Sequence, residues 1–118
     1  LKTINDTYGH GEGDNALTTL ARCIKSSMHE GDVCGRIGGG EFAAIINVSY
    51  PGRCRDFKRD LTDALRNEHT PGARFMVEAS VGICETTENE ATSLIQCIQL
   101  ADKRMYEEKR AKKGRLQR

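Results

Sequence analysis

The chain has 118 residues and a formal net charge of +1 at pH 7, and 37% of its residues are hydrophobic. This length fits one domain with enough apolar content for its own core. The near-neutral charge gives no indication of a nucleic-acid partner, and no apolar run approaches the roughly 20 residues of a membrane span. No signal peptide is evident, so we expect a cytoplasmic domain that makes no membrane contact of its own.

The five cysteines favour a reducing compartment. Their number is odd, and no Cys-x-x-Cys pair occurs. Disulfide frameworks and structural zinc sites both use paired or regularly spaced cysteines. We therefore expect reduced, mostly buried thiols, as is usual in cytosolic proteins.

The first half of the chain predicts a helix followed by a β-hairpin. From Asp14 to Met28 apolar residues recur at helical spacing, and Gly31 is placed to end that helix. Two short β-like runs, 33–37 and 42–46, then flank three glycines. This arrangement is typical of a tight hairpin.

The second half predicts a helix, a strand and a last helix. Residues 53–68 carry a second apolar stripe, and residues 75–83 alternate strictly between apolar and polar side chains. Residues 94–105 carry a third helical stripe, with Thr92 or Thr87 as candidate caps. The mixture predicts an α+β fold with a sheet and covering helices.

Two glycine-rich clusters are the most distinctive segments. Residues 36–42 read RIGGGEF, and residues 4–14 read INDTYGHGEGD. Glycine takes positive φ at little cost, so the hairpin tip can turn tightly and expose bare backbone. Glu41 opens the returning strand beside that backbone. A carboxylate next to exposed main chain suits a phosphate or a metal ion.

Together these motifs resemble the GGDEF family of diguanylate cyclases, which condense two GTP molecules into cyclic di-GMP. The resemblance implies the family's palm-like nucleotidyl-cyclase fold, a central antiparallel-rich sheet flanked by helices. The family begins with one further central strand, whose position lies before Leu1. The chain is thus expected to be one GGDEF-like domain over residues 1–118, an N-terminally truncated fragment of a longer signalling protein with an upstream sensor or regulatory domain. That protein can be a membrane sensor with this portion in the cytoplasm.

The resemblance assigns recognition of the guanine base to Asn5 and Asp14. Guanine offers N–H donors to a carboxylate, and its O6 and N3 accept from an amide, so such a pair can satisfy its edge. The structural alternative is that both residues only cap or turn the backbone.

Phosphate binding is assigned to Lys2, Lys109 and Arg115. Lys109 follows the segment ADKRMY, which matches the family's Ala-Asp-x-x-x-Tyr. Arg115 comes slightly later than the family's Gly-Arg pair, so Lys112 is an alternative for this role. Lysine and arginine bind triphosphates by charge and by fork-like donors. A solvated basic helix end is the structural alternative.

One letter of the hairpin signature differs from the family pattern. The family has a carboxylate where this chain has Gly40, and that carboxylate joins an upstream aspartate around Mg²⁺. Gly38 and Gly39 remain to shape the turn beside the phosphates, and Glu41 remains as a catalytic candidate. Neighbouring residues of a strand point to opposite faces, so Glu41 is a poor substitute for the missing ligand. The resemblance therefore implies GTP as substrate, Mg²⁺ as the family's cofactor, a homodimer for catalysis, and an enzyme impaired at Gly40.

The product-inhibition site of the family is also incomplete. Many relatives carry Arg-x-x-Asp before the hairpin, and here His29 replaces the arginine while Asp32 is retained. The resemblance therefore implies no inhibitory site in this chain.

Two other hypotheses belong to different classes of protein. Gly40 and His29 favour a non-catalytic GTP-binding or protein-interaction module that regulates a partner domain. An RNA-binding ferredoxin-like sheet would need two or three stacking aromatic side chains on adjacent strands. Aromatic residues make up only 5% of the chain and form no such platform, which disfavours the RNA hypothesis.

Overall fold

The computed structural model describes residues 10–68, 77–86 and 93–116. The chain divides into two compact units, Leu1–Glu78 and Ala79–Arg118. Its elements are helix α1 (His10–Ser26), strands β1 (Val33–Gly38) and β2 (Glu41–Ile45), helix α2 (Arg53–Glu68) and helix α3 (Leu94–Leu116). Helices combined with an antiparallel hairpin confirm the predicted α+β class. Among the described residues, no helix is both long and apolar enough to cross a membrane.

Helix α1 begins closer to the N-terminus than predicted. It begins at His10 rather than at Asp14, and it runs through the glycine-rich cluster. Glycine costs about 1 kcal/mol inside a helix, and this helix accommodates Gly13 as a buried residue. The helix ends at Ser26. Gly31 does not cap it but takes a φ of 90° in the turn before β1.

The hydrophobic core of the first unit lies between α1 and α2. Its buried apolar side chains are Ala16, Cys23 and Ile24 from α1 and Phe57, Leu61 and Leu65 from α2. The prediction for α2 is confirmed in its bounds and its buried face. The buried face of α1 differs from the predicted stripe, because Leu17 and Leu20 are only half-buried. The small side chains of Ala16 and Cys23 allow the two helices to approach closely.

The hairpin is confirmed, but the third predicted strand is not. Strands β1 and β2 form a two-stranded antiparallel sheet. Within the described residues 77–86 no strand pairing occurs, so the strand predicted over 75–83 is wrong for that part. A strand depends on a neighbour for its N–H and C=O groups, and in the described part of the chain none pairs with this segment.

Helix α3 begins with a capping box. The Ser93 hydroxyl accepts from the Gln96 backbone N–H at 3.1 Å, and the Gln96 side-chain oxygen accepts from the Ser93 N–H at 3.0 Å. This reciprocal pair satisfies two donors at the helix start. The predicted caps Thr92 and Thr87 lie outside the described residues. The Ser-x-x-Gln pattern that identifies the true cap was present in the sequence.

The backbone around Gly82 lies directly against α3 in the second unit. A Cβ atom at Gly82 would overlap the Ala101 carbonyl oxygen and the Met105 amide nitrogen. Three α3 side chains also donate hydrogen bonds to carbonyl oxygens of this segment: Lys112 to Ala79, Arg104 to Ile83 and Cys97 to Cys84. Close backbone approach therefore requires glycine at position 82.

We predict that Gly82→Ala lowers the free energy of unfolding by about 1–3 kcal/mol, because overpacking forces the backbone apart. Urea unfolding followed by circular dichroism measures the change. Gly35→Ala is the matched control, because a Cβ there would meet no atom within 4 Å. Equal unfolding midpoints for the two variants would contradict the close approach.

Candidate functional site

The tip of the β-hairpin is irregular and braced by an arginine. Gly38 pairs with Glu41, and one extra residue, Ile37, interrupts the register on β1 just before this pair. The Arg36 Nε–H donates to the Gly39 carbonyl oxygen at 2.8 Å. The turn is thus held by a bulge and a side-chain hydrogen bond.

The glycines at the hairpin tip do not adopt the positive φ that the sequence predicted for them. A positive φ occurs at Gly31 and Gly52 among the described residues, and not at Gly38, Gly39 or Gly40. The expectation that the tip needs glycine for a positive φ is therefore wrong. A Cβ at Gly38 or Gly39 would meet no atom within 4 Å, so the backbone faces open space. Bare main chain of this kind leaves N–H groups accessible to an anionic ligand.

A single carboxylate stands beside this exposed backbone. Glu41 is half-buried at the start of β2, and the neighbouring Gly40 is exposed and supplies no ligand. Within residues 10–68, 77–86 and 93–116, no three acidic, histidine or cysteine side chains could together hold a metal ion. Mg²⁺ requires oxygen ligands in near-octahedral geometry. Mg²⁺ often takes only one or two carboxylates from the protein, with water and substrate phosphates as its other ligands, so Mg²⁺ binding by this chain stays a prediction from the resemblance.

Asp14 is exposed on α1 and has no capping role. It is the fifth residue of the helix, past the four N–H groups that lack a partner at a helix start. The Thr18 hydroxyl donates to its carbonyl oxygen at 3.0 Å and leaves the side chain unaffected. The structural alternative of a capping residue is therefore wrong for Asp14. Its predicted companion Asn5 and the phosphate candidate Lys2 lie outside the described residues.

The second unit contains two of the predicted phosphate candidates, Lys109 and Lys112, the latter as the alternative to Arg115. Lys109 is exposed on α3. Lys112 is engaged, because its Nζ donates to the Ala79 carbonyl oxygen at 2.6 Å and lies 3.2 Å from a Glu108 carboxylate oxygen. The more accessible ammonium is therefore that of Lys109. The side chain of Arg115 is outside the described part of the chain.

The loop before β1 contains a buried ion pair. The side chains of Asp32 and Arg53 are each 1% exposed, and Arg53 Nη2 donates to Asp32 Oδ2 at 2.9 Å. The backbone N–H groups of His29 and Asn47 also donate to this carboxylate, both at 2.9 Å. The His29 N–H, together with the Asn47 N–H and the Arg53 charge, lowers the pKa of Asp32 although burial opposes this. Both oxygens of Asp32 are thus occupied by internal donors.

Arg53 is a residue that the sequence reasoning missed. Besides Asp32, its Nε–H donates to His29 Nδ1 at 3.1 Å and its Nη2 to the Ser27 carbonyl oxygen at 3.4 Å. The guanidinium carbon lies 5.8 Å from the Phe57 ring centroid, and Nη1 is buried without a hydrogen-bond partner. The sequence did contain a signal for it, because Arg53 lies four residues before Phe57, on the same buried stripe of α2. Charged side chains are almost never fully buried without an oppositely charged partner, so an arginine on this stripe indicates a buried ion pair.

Side chains of the hairpin and of α1 together line an open cavity of about 230 Å³. Its lining residues are Ala21, Ile24 and Lys25 from α1 and Cys34, Gly35, Arg36 and Phe42 from the hairpin. No residue of β1 or β2 is buried, and Val33 and Ile37 are 57% and 61% exposed. The hairpin therefore contributes half-buried apolar side chains, such as those of Cys34 and Phe42, to this cavity.

The comparisons with known proteins agree with this fold and these motifs. The family model described as "Diguanylate cyclase, GGDEF domain" matches residues 1–115. The chain is 36% identical over 123 residues to an uncharacterized 19.3 kDa protein of Streptomyces ambofaciens, covering 100% of this chain and 61% of that protein. It is also 36% identical over 115 residues to the probable diguanylate cyclase DgcJ of Escherichia coli, covering 98% of this chain and 22% of that protein.

A solved structure is similar along most of the chain. Diguanylate cyclase SiaD of Pseudomonas aeruginosa, in complex with its activator SiaC, matches with a TM-score of 0.78 and 31% identity, covering 93% of this chain and 42% of that chain. With the family model matched almost throughout, this chain belongs to the GGDEF domain family. It spans less than two thirds of the length of each of these relatives.

We predict that Asp32→Asn lowers the free energy of unfolding by about 3–5 kcal/mol at pH 7, because it leaves the Arg53 charge buried without its counter-ion. The folded pKa of Asp32 is depressed, so its contribution is present above the unfolded value of 3.8 and is lost as pH falls through the folded value. Denaturant unfolding at pH 7 and below pH 4 measures both effects.

The matched control for this prediction is Glu30→Gln, because Glu30 is an exposed acid in the same loop. We expect it to change stability by less than about 0.5 kcal/mol. A stability difference between Asp32→Asn and the unaltered protein that stays constant down to pH 2 would contradict the assignment.

Proposed function

We propose that this GGDEF domain binds GTP and that its condensation of two GTP molecules into cyclic di-GMP is impaired. The observation that carries the proposal is the hairpin tip, where exposed glycine backbone lies beside one carboxylate, that of Glu41. Such backbone suits a phosphate, which must come close to the main chain. The second carboxylate, which the family has at the position of Gly40, is absent.

Asp14 is the proposed acceptor for the guanine base. It is exposed, and its position in α1 frees it from helix capping. A carboxylate at this point can accept from guanine N1–H and N2–H together, whereas adenine offers no such pair of donors. Asn5 is the proposed partner for the remaining edge of the base, and this part rests on the motif alone.

Positively charged side chains are proposed to bind the phosphates. Lys109 is the first candidate because it is exposed, whereas the ammonium of Lys112 has a carbonyl and a carboxylate as partners. Lys2 and Arg115 rest on the family pattern alone. An ammonium or guanidinium group binds triphosphate oxygens by charge-assisted hydrogen bonds.

Condensation itself joins the 3′-hydroxyl of one GTP to the α-phosphorus of the other and releases pyrophosphate, and a second such step closes the ring. We propose that two subunits each present one GTP for these steps. With glycine at position 40, the tip offers fewer groups to position and neutralise the reacting phosphates. A loss of this kind slows a reaction by roughly 10²–10⁴-fold.

A non-catalytic regulatory module is the second candidate function. Gly40 favours it, because a pocket that retains GTP binding without turnover can still change conformation with its ligand. The similar protein SiaD is in complex with its activator, so a protein partner for this chain belongs to the same hypothesis. We also propose that an upstream sensor or regulatory domain controls this chain in the cytoplasm.

We predict that Asp14→Ala and Asn5→Ala each weaken GTP binding by about 1.5–3 kcal/mol, because each removes a hydrogen bond to the guanine edge. Calorimetry with GTP and ATP on the full-length protein measures this, with Asp63→Ala as a control for loss of an exposed acid elsewhere. Equal affinity for GTP and ATP would argue against a guanine pocket. Cyclic di-GMP in the same calorimeter should bind weakly, since Asp32 is already occupied.

We predict negligible cyclic di-GMP from the unaltered full-length protein and partial recovery in Gly40→Asp, measured by product chromatography with GTP and Mg²⁺. The substitution adds a carboxylate beside Glu41 at the position where the family has one. Gly39→Asp is the matched control, because it adds the same charge one residue away and should stay inactive. Abundant cyclic di-GMP from the unaltered protein, which has Gly40, would contradict the proposed impairment.

A further inference from the structure

Polar contacts join both ends of the hairpin to the rest of its unit. Every buried hydrophobic side chain of the described first unit comes from α1 or α2, and none comes from β1 or β2. Strands β1 and β2 contribute half-buried side chains, among them Cys34 and Phe42, which line an open cavity together with α1. Within the described part of the first unit, fully buried apolar packing therefore does not by itself set the orientation of the hairpin.

Asp32 joins the two ends of the hairpin. It lies one residue before β1, and it accepts from the N–H of Asn47, two residues after β2. Arg53, the first residue of α2, then binds this carboxylate and also the Ser27 carbonyl oxygen just after α1. One buried guanidinium thus connects both hairpin ends to both helices.

We propose that Arg53 and Asp32 are positioning residues, a clamp that orients the hairpin so that its glycine tip meets the triphosphate. Strand β1 spans six residues between the clamp and the tip, about 20 Å at the rise of an extended strand. A rotation of about 10° at the base would therefore move the tip by about 3 Å. A displacement of this size separates hydrogen-bonded groups, because their distances vary by only a few tenths of an ångström.

This proposal rests on the proposed GTP function, in which two different parts of the protein bind the base and the triphosphate. The base is assigned to Asp14 on α1, and the triphosphate to the tip of the hairpin. Loss of the Arg53–Asp32 contacts should therefore weaken binding of the triphosphate and leave binding of the base unchanged. General destabilisation of the protein would weaken both parts together.

The test uses Arg53→Met, Arg53→Lys and Arg22→Met in the full-length protein. Arg22 is the matched control, because it pairs with Glu68 at 2.7 Å between α1 and α2 but is 55% exposed. Calorimetry with GTP and with guanosine gives the two affinities. We expect Arg53→Met to weaken GTP binding about tenfold, or about 1.4 kcal/mol, with guanosine binding unchanged. Arg53→Lys should be intermediate, because it keeps the charge but not the fork of donors, and Arg22→Met should match the unaltered protein.

Amide hydrogen exchange supplies a readout that needs no nucleotide. In Arg53→Met, exchange should become faster at Asn47 and along β1 and β2, and in Arg22→Met it should not. If Arg53→Met does not fold, Arg53→Lys decides the matter by the same two measurements. Equal losses for GTP and guanosine, or unchanged hairpin exchange, would overturn the clamp. If the unaltered protein binds neither ligand, the proposed function fails, and the exchange data still decide the role of Arg53.

Discussion

The structure of the first unit depends on one buried ion pair, Asp32 with Arg53. Two charges removed from water cost several kcal/mol each, and only good geometry with further hydrogen bonds compensates for this. Here the carboxylate accepts from two backbone N–H groups and from the guanidinium. The guanidinium also binds His29 and Ser27. The pair therefore contributes a definite geometry at the junction of four segments.

The cost of this arrangement is visible at the guanidinium itself. Arg53 Nη1 is buried and has no hydrogen-bond partner, which costs about 1–3 kcal/mol or more for a charged group. A pair of apolar side chains at 32 and 53 would avoid that cost, but it would leave the N–H groups of His29 and Asn47 without acceptors. Both oxygens of Asp32 already accept hydrogen bonds from groups inside the protein. In this chain the same carboxylate is therefore a structural group.

Local signals explain what could be predicted from the sequence, and long-range contacts explain the rest. The bounds of α2 and of the hairpin follow from an apolar stripe and from glycines between two β-like runs. The partnership of Arg53 with Asp32 could not be predicted, because residues 21 positions apart leave no periodic signature. In its described part, from residue 77 onward, the strand predicted over 75–83 does not form. Alternation of apolar and polar residues shows only which face is apolar, whereas a strand also needs a neighbouring strand to pair with. The motifs identified Asp14 and Glu41, but only the structure shows that Asp14 is exposed and Glu41 is half-buried.

A crystal structure of the full-length protein with a non-hydrolysable GTP analogue tests the central claim, that the clamped hairpin presents its tip to the triphosphate. We expect phosphate oxygens within hydrogen-bond distance of the Gly38 or Gly39 backbone and guanine against Asp14. We also expect Asp32 and Arg53 to remain paired. A nucleotide bound elsewhere, or Asp32 released from Arg53 and turned to the ligand, would contradict this claim.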